Sequence, residues 1–344
     1  MALSLDWPRA YGEPPLRGVL RQACSDFFVE EQLGFEPDGS GEHCWLWIEK
    51  ENLNTADAAQ RLARFAGLRE RDISYSGLKD KRAVTRQWFS LHLLNRDIDW
   101  QQWSDPALRI LRAIRHSKKL RRGTHRSNYF RITLRDVQGD ADALQKRIAL
   151  IRTCGVPNYF GEQRFGRDAR TLELAMRAAE QRSRLHRQQA SLYFSALRSY
   201  LFNAVLAHRV SENNWSTPLA GELFMLNRSS SVFRQSIDAA LLARYESGDI
   251  HLSGPLPGCA GNADPSDDVL RLERSVLSEY KALIDFLEAS RVDSARRSLR
   301  LLPDDLRVEE IASAAWQFSF TLGRGCFATA LMRELADYYS LSTE

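Results

Sequence analysis

The pattern that most constrains this chain is a set of strand-like segments near both of its ends. In NYFRITLR (residues 128–135), apolar Phe130, Ile132 and Leu134 alternate with more polar neighbours, the period of a strand with one buried face. Short runs of β-branched and aromatic residues predict further strands, namely DFFVEE (26–31), HCWLWIEK (43–50), RQWFSLHLL (86–94), LRVEEIA (306–312) and AWQFSFTL (315–322). Both groups of strands are predicted to join in one sheet.

Helical patterns occupy much of the remaining chain. The segment 54–68 predicts a helix that begins at Asn54 or Thr55 and ends at Gly67. Further helices are predicted near 141–153, over much of 168–210 and 266–302 on either side of a loop at 254–268, and at 328–339. We therefore predict an α+β fold, a mixed and mainly antiparallel sheet flanked by helices, with an inserted and mostly helical α/β domain. The predicted domain boundaries are 1–154, 155–303 and 304–344.

Composition limits the class of protein. The 344 residues are enough for about two domains, and a hydrophobic content of 44% excludes a disordered chain. The five cysteines show neither a CxxC pair nor the spacing of a zinc site, so we expect reduced thiols. The first residues lack the apolar run of a secretion signal, and a cytoplasmic protein without a membrane partner is expected.

One segment of the chain is strongly basic, although the net charge is only +4. Between Arg109 and Arg135 there are ten Lys or Arg residues and no Asp or Glu. Contacts of such residues with phosphates release counterions and give salt-sensitive affinity for nucleic acid. Aromatic residues at the end of the segment favour unpaired RNA over a duplex groove. The alternative is an ordinary solvated face of the protein.

A second basic stretch, YSGLKDKRAVTRQW (75–88), encloses a single carboxylate, Asp80, between Lys79 and Lys81. Neighbouring positive charge favours the ionised form of a carboxylate. Such a group can bind magnesium, act as a base, attack carbon or stabilise a cationic sugar, and it can equally be a turn residue that bonds to nearby backbone. The P-loop, HExxH, GxGxxG and GxSxG motifs are absent, so the candidate reactive group is a carboxylate without an obvious cofactor.

Five motifs, in order along the chain, resemble those of the TruD family of tRNA pseudouridine synthases. They are FFVEE (27–31), YSGLKDKRAVTRQW (75–88), NYFRITLR (128–135), VPNYFGEQRFG (156–166) and GCFATALMREL (325–335). The resemblance implies a pseudouridine-synthase sheet with permuted halves, so that 1–154 and 304–344 form the catalytic domain and 155–303 the inserted TRUD domain. It also implies isomerisation of uridine to pseudouridine in tRNA, at position 13 of the D arm, by a monomer that needs no cofactor or metal. The alternative hypothesis is a non-catalytic RNA-binding protein or RNA chaperone.

The resemblance also implies roles for individual residues. Asp80 matches the catalytic nucleophile of the family, which attacks the sugar or the base, and Arg21 matches a basic residue that pairs with it. Phe27 and Phe327 match positions that contact the flipped nucleotide, and Phe130 matches the aromatic that stacks on the target base. Asn128, two residues before Phe130 on the same face, can donate and accept hydrogen bonds, which suits the edge of a uracil. The three phenylalanines could instead be core residues, and Asn128 a turn residue. Lys79 and Lys81 are assigned either to RNA phosphates or to the structure of the loop.

Overall fold

The computed structural model describes residues 5–94, 96–259, 261 and 264–340, and these form two compact units. The sheet unit contains the described residues of 16–140, 303–325 and 337–340. The helical unit contains those of 5–15, 141–302 and 326–336. Within the described residues, every helix is too short or too polar to cross a lipid bilayer.

The strands of the described chain are β1 (Leu16–Leu20), β2 (Phe27–Gln32), β3 (His43–Glu51), β4 (Ile73–Tyr75), β5 (Val84–His92), β6 (Leu108–His116), β7 (Ser127–Gly139), β8 (Val156–Pro157), β9 (Phe224–Leu226), β10 (Val232–Phe233), β11 (Ile250–Leu256), β12 (Ala295–Ser298), β13 (Arg300–Leu301), β14 (Asp304–Ala312), β15 (Ala315–Gly323) and β16 (Ala336–Ser340). Its α-helices are α1 (Thr55–Ala66), α2 (Ala141–Cys154), α3 (Arg170–Glu180), α4 (Arg187–Ser211), α5 (Ala239–Glu246), α6 (Asp267–Ser278), α7 (Lys281–Ala289) and α8 (Ala328–Leu335).

One large sheet organises the sheet unit. Its strand order is β14-β15-β7-β2-β5-β3-β6, with β1 paired to β7, β16 to β1, and β4 to β5. Strands β2 and β5 run parallel, whereas β2–β7, β7–β15, β14–β15, β3–β5 and β3–β6 are antiparallel. The predicted fold class, a mixed and mainly antiparallel sheet with helices, is confirmed.

Helix α1 covers part of one face of this sheet. Its alanines and Leu62 pack against Leu46, Ile48 and Phe89, which are fully buried. The helix ends where Gly67 adopts the left-handed conformation, with φ 61°, and its N–H bonds back to the last turn. The predicted limits of this helix are therefore confirmed.

The helical unit has its own core, built around the long helix α4 and its neighbours α3 and α7. Two small sheets complete it, one ordered β10-β9-β11-β12 and one formed by β13 and β8. Helix α2 and residues 5–15 also belong to this unit, because Arg147 of α2 donates to the carbonyls of Tyr11, Glu13 and Glu334. The compact units therefore do not coincide with the predicted domains, because residues 5–15 and 141–154 lie in the helical unit. The boundaries of the functional domains stay a prediction.

Three local predictions were wrong. The region 266–302 is helical only as far as Ala289, because residues 295–298 pair with β11 as strand β12. The loop predicted at 254–268 starts later, since β11 continues to Leu256. The last helix ends at Leu335, and the following residues form β16, which adds to the edge strand β1. In each case pairing with a distant strand overrides the local helical or loop pattern.

Candidate active site

Three phenylalanines lie on one face of the sheet where β2, β7 and β15 meet. Phe130 is directly opposite Phe320 of β15, and Ile132, two residues along β7, is opposite Phe27 of β2. The ring centroids of Phe27 and Phe130 are 6.4 Å apart, and those of Phe130 and Phe320 are 5.4 Å apart and stacked. Phe130 is 8% exposed, so most of this residue is packed inside the protein.

Asn128 extends this face by one position along β7. It is opposite Glu31 on one side and Leu322 on the other. Its amide oxygen is buried and has no hydrogen-bond partner among the described residues. A buried acceptor without a donor is unfavourable, so this oxygen is suited to an N–H group that a ligand would bring.

Asp80 and Arg21 form an ion pair next to these rings. The Nη2 of Arg21 donates to Oδ2 of Asp80 at 2.5 Å, and the two side chains are 17% and 29% exposed. The guanidinium carbon also lies 4.0 Å from the ring centroid of Phe27, within cation–π range. Arg21 has φ 59°, a left-handed conformation that is strained for a residue with a Cβ. The backbone at Arg21 is therefore held in an unfavourable state that brings its charge to Asp80.

Three buried polar side chains hold the Asp80 loop (residues 76–81) in place. Lys50, 1% exposed, donates from Nζ to the carbonyls of Asp80 at 2.9 Å and Leu53 at 2.7 Å. Thr55 Oγ1 accepts from the N–H of Lys79 at 3.0 Å, and Gln87 Nε2 donates to the Gly77 carbonyl at 3.1 Å. Burial lowers the pKa of Lys50 to about 8, partly countered by the charge of Asp80. Sequence reasoning missed Lys50.

A second buried network also holds this loop and centres on Glu31, a residue that sequence reasoning missed as well. The parallel pairing of β2 with β5 stops at Glu30, and Glu31 Oε2 then accepts from the N–H of Trp88 at 3.0 Å. Its Oε1 accepts from Lys79 Nζ at 2.8 Å, with side-chain exposures of 0% and 7%. His125 Nδ1 lies 3.6 Å from the same oxygen, and burial lowers the pKa of this histidine.

The two predicted lysines of the loop therefore differ. Lys79 is committed to a buried ion pair with Glu31, which favours its structural role over contact with RNA phosphates. Lys81 is exposed, as a group that meets phosphates must be. Leu78, in the same loop, is 74% exposed, an unusual position for a large apolar side chain.

Phe327 belongs to the helical unit, at the start of α8. Its ring centroid is 5.8 Å from that of Phe160, and the guanidinium carbon of Arg164 lies 5.6 Å from it. Arg297 in turn lies 4.0 Å from the Phe160 ring and donates to Asn158 Oδ1 at 2.6 Å. The motif at 156–166, together with Arg297 of β12, thus supplies the ring and guanidinium groups that hold Phe327 within its own unit.

The positive charge of the basic segment 109–135 is partly neutralised in the folded protein by carboxylates from other parts of the chain. Four of its arginines reach carboxylates from other parts of the sequence, in the pairs Arg109–Glu49, Arg112–Glu36, Arg115–Asp97 and Arg135–Asp26. The remaining cations of its central part are exposed, namely Lys118, Lys119, Arg121, Arg122 and Arg126. The electrostatic attraction for a polyanion is therefore concentrated at 118–126. Over the described residues, no cluster of three or more His, Cys, Asp or Glu side chains could hold a metal ion.

Comparison with known proteins gives a consistent result. The family model "tRNA pseudouridine synthase D (TruD)" matches residues 9–178 and 170–335. The chain is 44% identical to tRNA pseudouridine synthase D of Methylococcus capsulatus, covering 97% of this chain and 95% of that protein. It is 42% identical to the protein of the same name from Azotobacter vinelandii, with 96% and 95% covered.

A crystal structure of a TruD protein from Methanosarcina mazei has the same fold. It superimposes with a TM-score of 0.72 at 20% identity and covers 95% of both chains. The sequence matches and the fold agree along nearly the whole length. This chain belongs to the tRNA pseudouridine synthase D family.

Proposed function

We propose that this protein converts uridine to pseudouridine at position 13 of the D arm of tRNA, with Asp80 as the nucleophile. Family membership supports the general part of this function, the isomerisation of uridine to pseudouridine in tRNA. The position in the tRNA and the role of Asp80 are our proposal. The observation that supports it best is the Asp80–Arg21 pair, held beside Phe27.

In the proposed reaction a carboxylate oxygen of Asp80 attacks the sugar or the base of the target nucleotide. The bond between uracil N1 and the sugar breaks, the base turns, and C5 bonds to the sugar carbon in place of N1. The hydrogen on C5 is lost to solvent, N1 takes up a proton, and the bond to Asp80 breaks again. Arg21 orients the carboxylate and balances its charge before attack.

Neighbouring side chains supply the base-binding part of the site. Phe130 is proposed to stack on the target base, as the family resemblance implies, and Phe27 packs against it. The unpartnered oxygen of Asn128 is suited to accept the N3–H of uracil. Exposed Leu78 is placed to occupy the space that an extruded base leaves in the RNA stack. Phe327 is proposed to contact the same nucleotide, as the family resemblance implies.

Tritium release from tRNA labelled at uracil C5 tests the function. We expect release by the native protein and none above background by Asp80→Asn, with RNA affinity changed less than about threefold because the side chain keeps its shape. Asp72→Asn is the matched control, since this acid lies outside the site and pairs with Arg69. Sequencing-based mapping of pseudouridine in the product should place it at position 13.

Two results would contradict the proposal. Full tritium release by a folded Asp80→Asn protein would remove Asp80 from the reaction. No release by the folded native protein, with RNA binding intact, would instead support the alternative of a non-catalytic RNA-binding protein.

A further inference from the structure

A second concave site lies on the opposite face of the large sheet from the Asp80 loop. Lys50 and Gln87, which hold that loop, point to one face of the sheet. Trp47 lies three residues before Lys50, and Trp88 follows Gln87 directly. Because side chains alternate along a strand, both indoles point to the opposite face. These indoles line a cavity of about 470 Å³, within the size range of small-ligand sites. Its other walls are Glu31, Leu33, Gly34, Phe35, Glu36, Pro37 and Arg112.

The walls of this cavity have the chemistry that binds a nucleobase. The ring centroids of Trp47 and Trp88 are 5.1 Å apart, and Phe35 is 44% exposed, so broad aromatic surface borders the opening. Arg112 is opposite Trp47 on β6, and its guanidinium donates to Glu36 at 3.1 Å. Aromatic faces with a guanidinium and a carboxylate at the rim can stack a base and bond to its edge.

Exposed positive charge borders the same cavity. The side chain of Arg126 packs against Gly34, which has φ 82°. A Cβ at position 34 would lie only 2.8 Å from Arg126 Cδ. The carbonyl of Lys118 accepts from the indole N–H of Trp45. The segment 118–126, whose lysines and arginines are exposed, therefore begins beside the tryptophan cluster. These cations can bind the phosphates on either side of a base in the cavity.

One residue is shared between the cavity and the supports of the Asp80 loop. Glu31 lines the cavity, bonds to the N–H of Trp88, and holds Lys79, the neighbour of Asp80. Glu31 therefore contacts both a cavity wall and the loop that carries Asp80. A small apolar metabolite would need neither the bordering cations nor this connection.

We propose that the Trp47–Trp88 cavity binds an unpaired base of the RNA substrate, outside the nucleotide that is modified. This inference rests on the proposed function, because it takes tRNA as the ligand. The site would hold the RNA by stacking on Trp47, with Arg112 and Glu36 on the base edge and Arg126 on the adjoining phosphate.

The affinity of the full chain for an unmodified tRNA transcript tests the proposal. Trp47→Leu keeps an apolar side chain but removes the stacking surface, and we expect binding to weaken about 5- to 100-fold. Trp47→Phe should restore affinity to within about threefold of native. Trp100→Leu is the matched control, a tryptophan of the same unit that packs on Phe65 away from the cavity, and should bind as the native protein does.

A second pair of variants covers the case in which Trp47→Leu does not fold. Arg112→Ala should weaken binding, whereas Arg109→Ala, on the same strand and paired with Glu49 outside the cavity, should change it less. Native affinity in folded Trp47→Leu, or equal effects of the two arginine variants, would overturn the proposal.

The experiment separates this proposal from the proposed function. Binding is measured in an Asp80→Asn background, where no turnover is expected, and tritium release is measured independently. Release with no change of affinity in Trp47→Leu would refute the cavity alone. Loss of affinity in Trp47→Leu without tritium release by the native chain would support the cavity and refute the function.

Discussion

The Asp80 loop and the segment 118–126 are both rich in lysine or arginine, and both adjoin strands of the same sheet. In the loop, Lys79 is buried against Glu31, and buried Lys50 of β3 donates to the carbonyl of Asp80. In the segment, the side chains of Lys118 and Lys119 are exposed. Burial therefore gives similar residues different tasks. The buried cations hold the loop that carries Asp80, and the exposed cations are the ones that we expect to attract RNA.

The largest expected effect comes from breaking the buried pair of the loop. Glu31→Gln leaves the ammonium of Lys79 buried without a counter-charge, so we expect the free energy of unfolding to fall by about 3–5 kcal/mol. Urea denaturation measures this loss. The control is Glu30→Gln, whose partner Arg86 is one-third exposed, and which should cost at most about 1 kcal/mol.

The double variant Glu31→Gln with Lys79→Met sharpens this test. It removes the unpaired charge and should recover part of the lost stability, which would identify the pair itself as the cause. Equal stability of the Glu31 and Glu30 variants would show that the loop does not depend on the buried pair.

An intermediate effect is expected at Lys50. Lys50→Met removes the donor to the Asp80 carbonyl, so the loop shifts and turnover should fall about 100-fold while RNA affinity stays near native. Lys81→Met, at an exposed position of the same loop, should instead weaken RNA binding and spare turnover of bound RNA. Single-turnover kinetics at saturating and subsaturating protein distinguish the two outcomes.

Stability against pH gives an independent measurement on Lys50. Its pKa of about 8 in the folded protein is below the ordinary value of 10.5, so between these values the unfolded chain binds the extra proton. The native protein should therefore become more stable relative to Lys50→Met as pH rises from 8 towards 10.5. Urea unfolding at about pH 7.5 and about pH 9.5 measures the difference, and a constant difference would contradict the buried position of this charge.

The smallest expected effect is at the exposed cations. Changing Lys118 and Lys119 to serine should flatten the dependence of log affinity on log salt by about 0.7–0.9 for each phosphate that is no longer neutralised, without changing stability by more than about 0.5 kcal/mol. Arg109→Ser, paired with Glu49, is the control and should alter the slope less. Equal salt-dependence slopes for the Lys118/Lys119 double variant and for Arg109→Ser would mean that exposure does not identify the cations that bind RNA.

Much of the architecture was predictable because periodicity depends on burial. The alternation in β7 and the limits of α1 are set by local sequence, and both predictions are confirmed. The strand at 336–340 was not predictable, because its pairing with β1 involves residues more than 300 positions away. The same reason explains why the ion pairs of the basic segment were not predicted: its arginines pair with carboxylates that are distant in the sequence.

The candidate site was predictable only in part. Motif resemblance pointed to Asp80 and Arg21, and the structure brings these two together. The supporting residues Lys50 and Glu31 were overlooked, although a signal was present. Lys50 has the same phase in β3 as buried Leu46 and Ile48, and Glu31 the same phase in β2 as Phe27 and Val29. A charged residue in the buried phase of a strand is a sign of an internal ion pair or hydrogen-bond network.

One oxygen of Glu31 accepts from the N–H of Trp88 where the pairing of β2 with β5 stops, and its other oxygen binds Lys79, the neighbour of Asp80. A substitution that alters the contact of Glu31 with β5 should therefore also alter the position of the Asp80 loop, because one side chain makes both contacts. Among relatives, we expect the residues at positions 31 and 79 to change only together. A loop grafted onto another protein should keep its structure only if a glutamate equivalent to Glu31 is grafted with it.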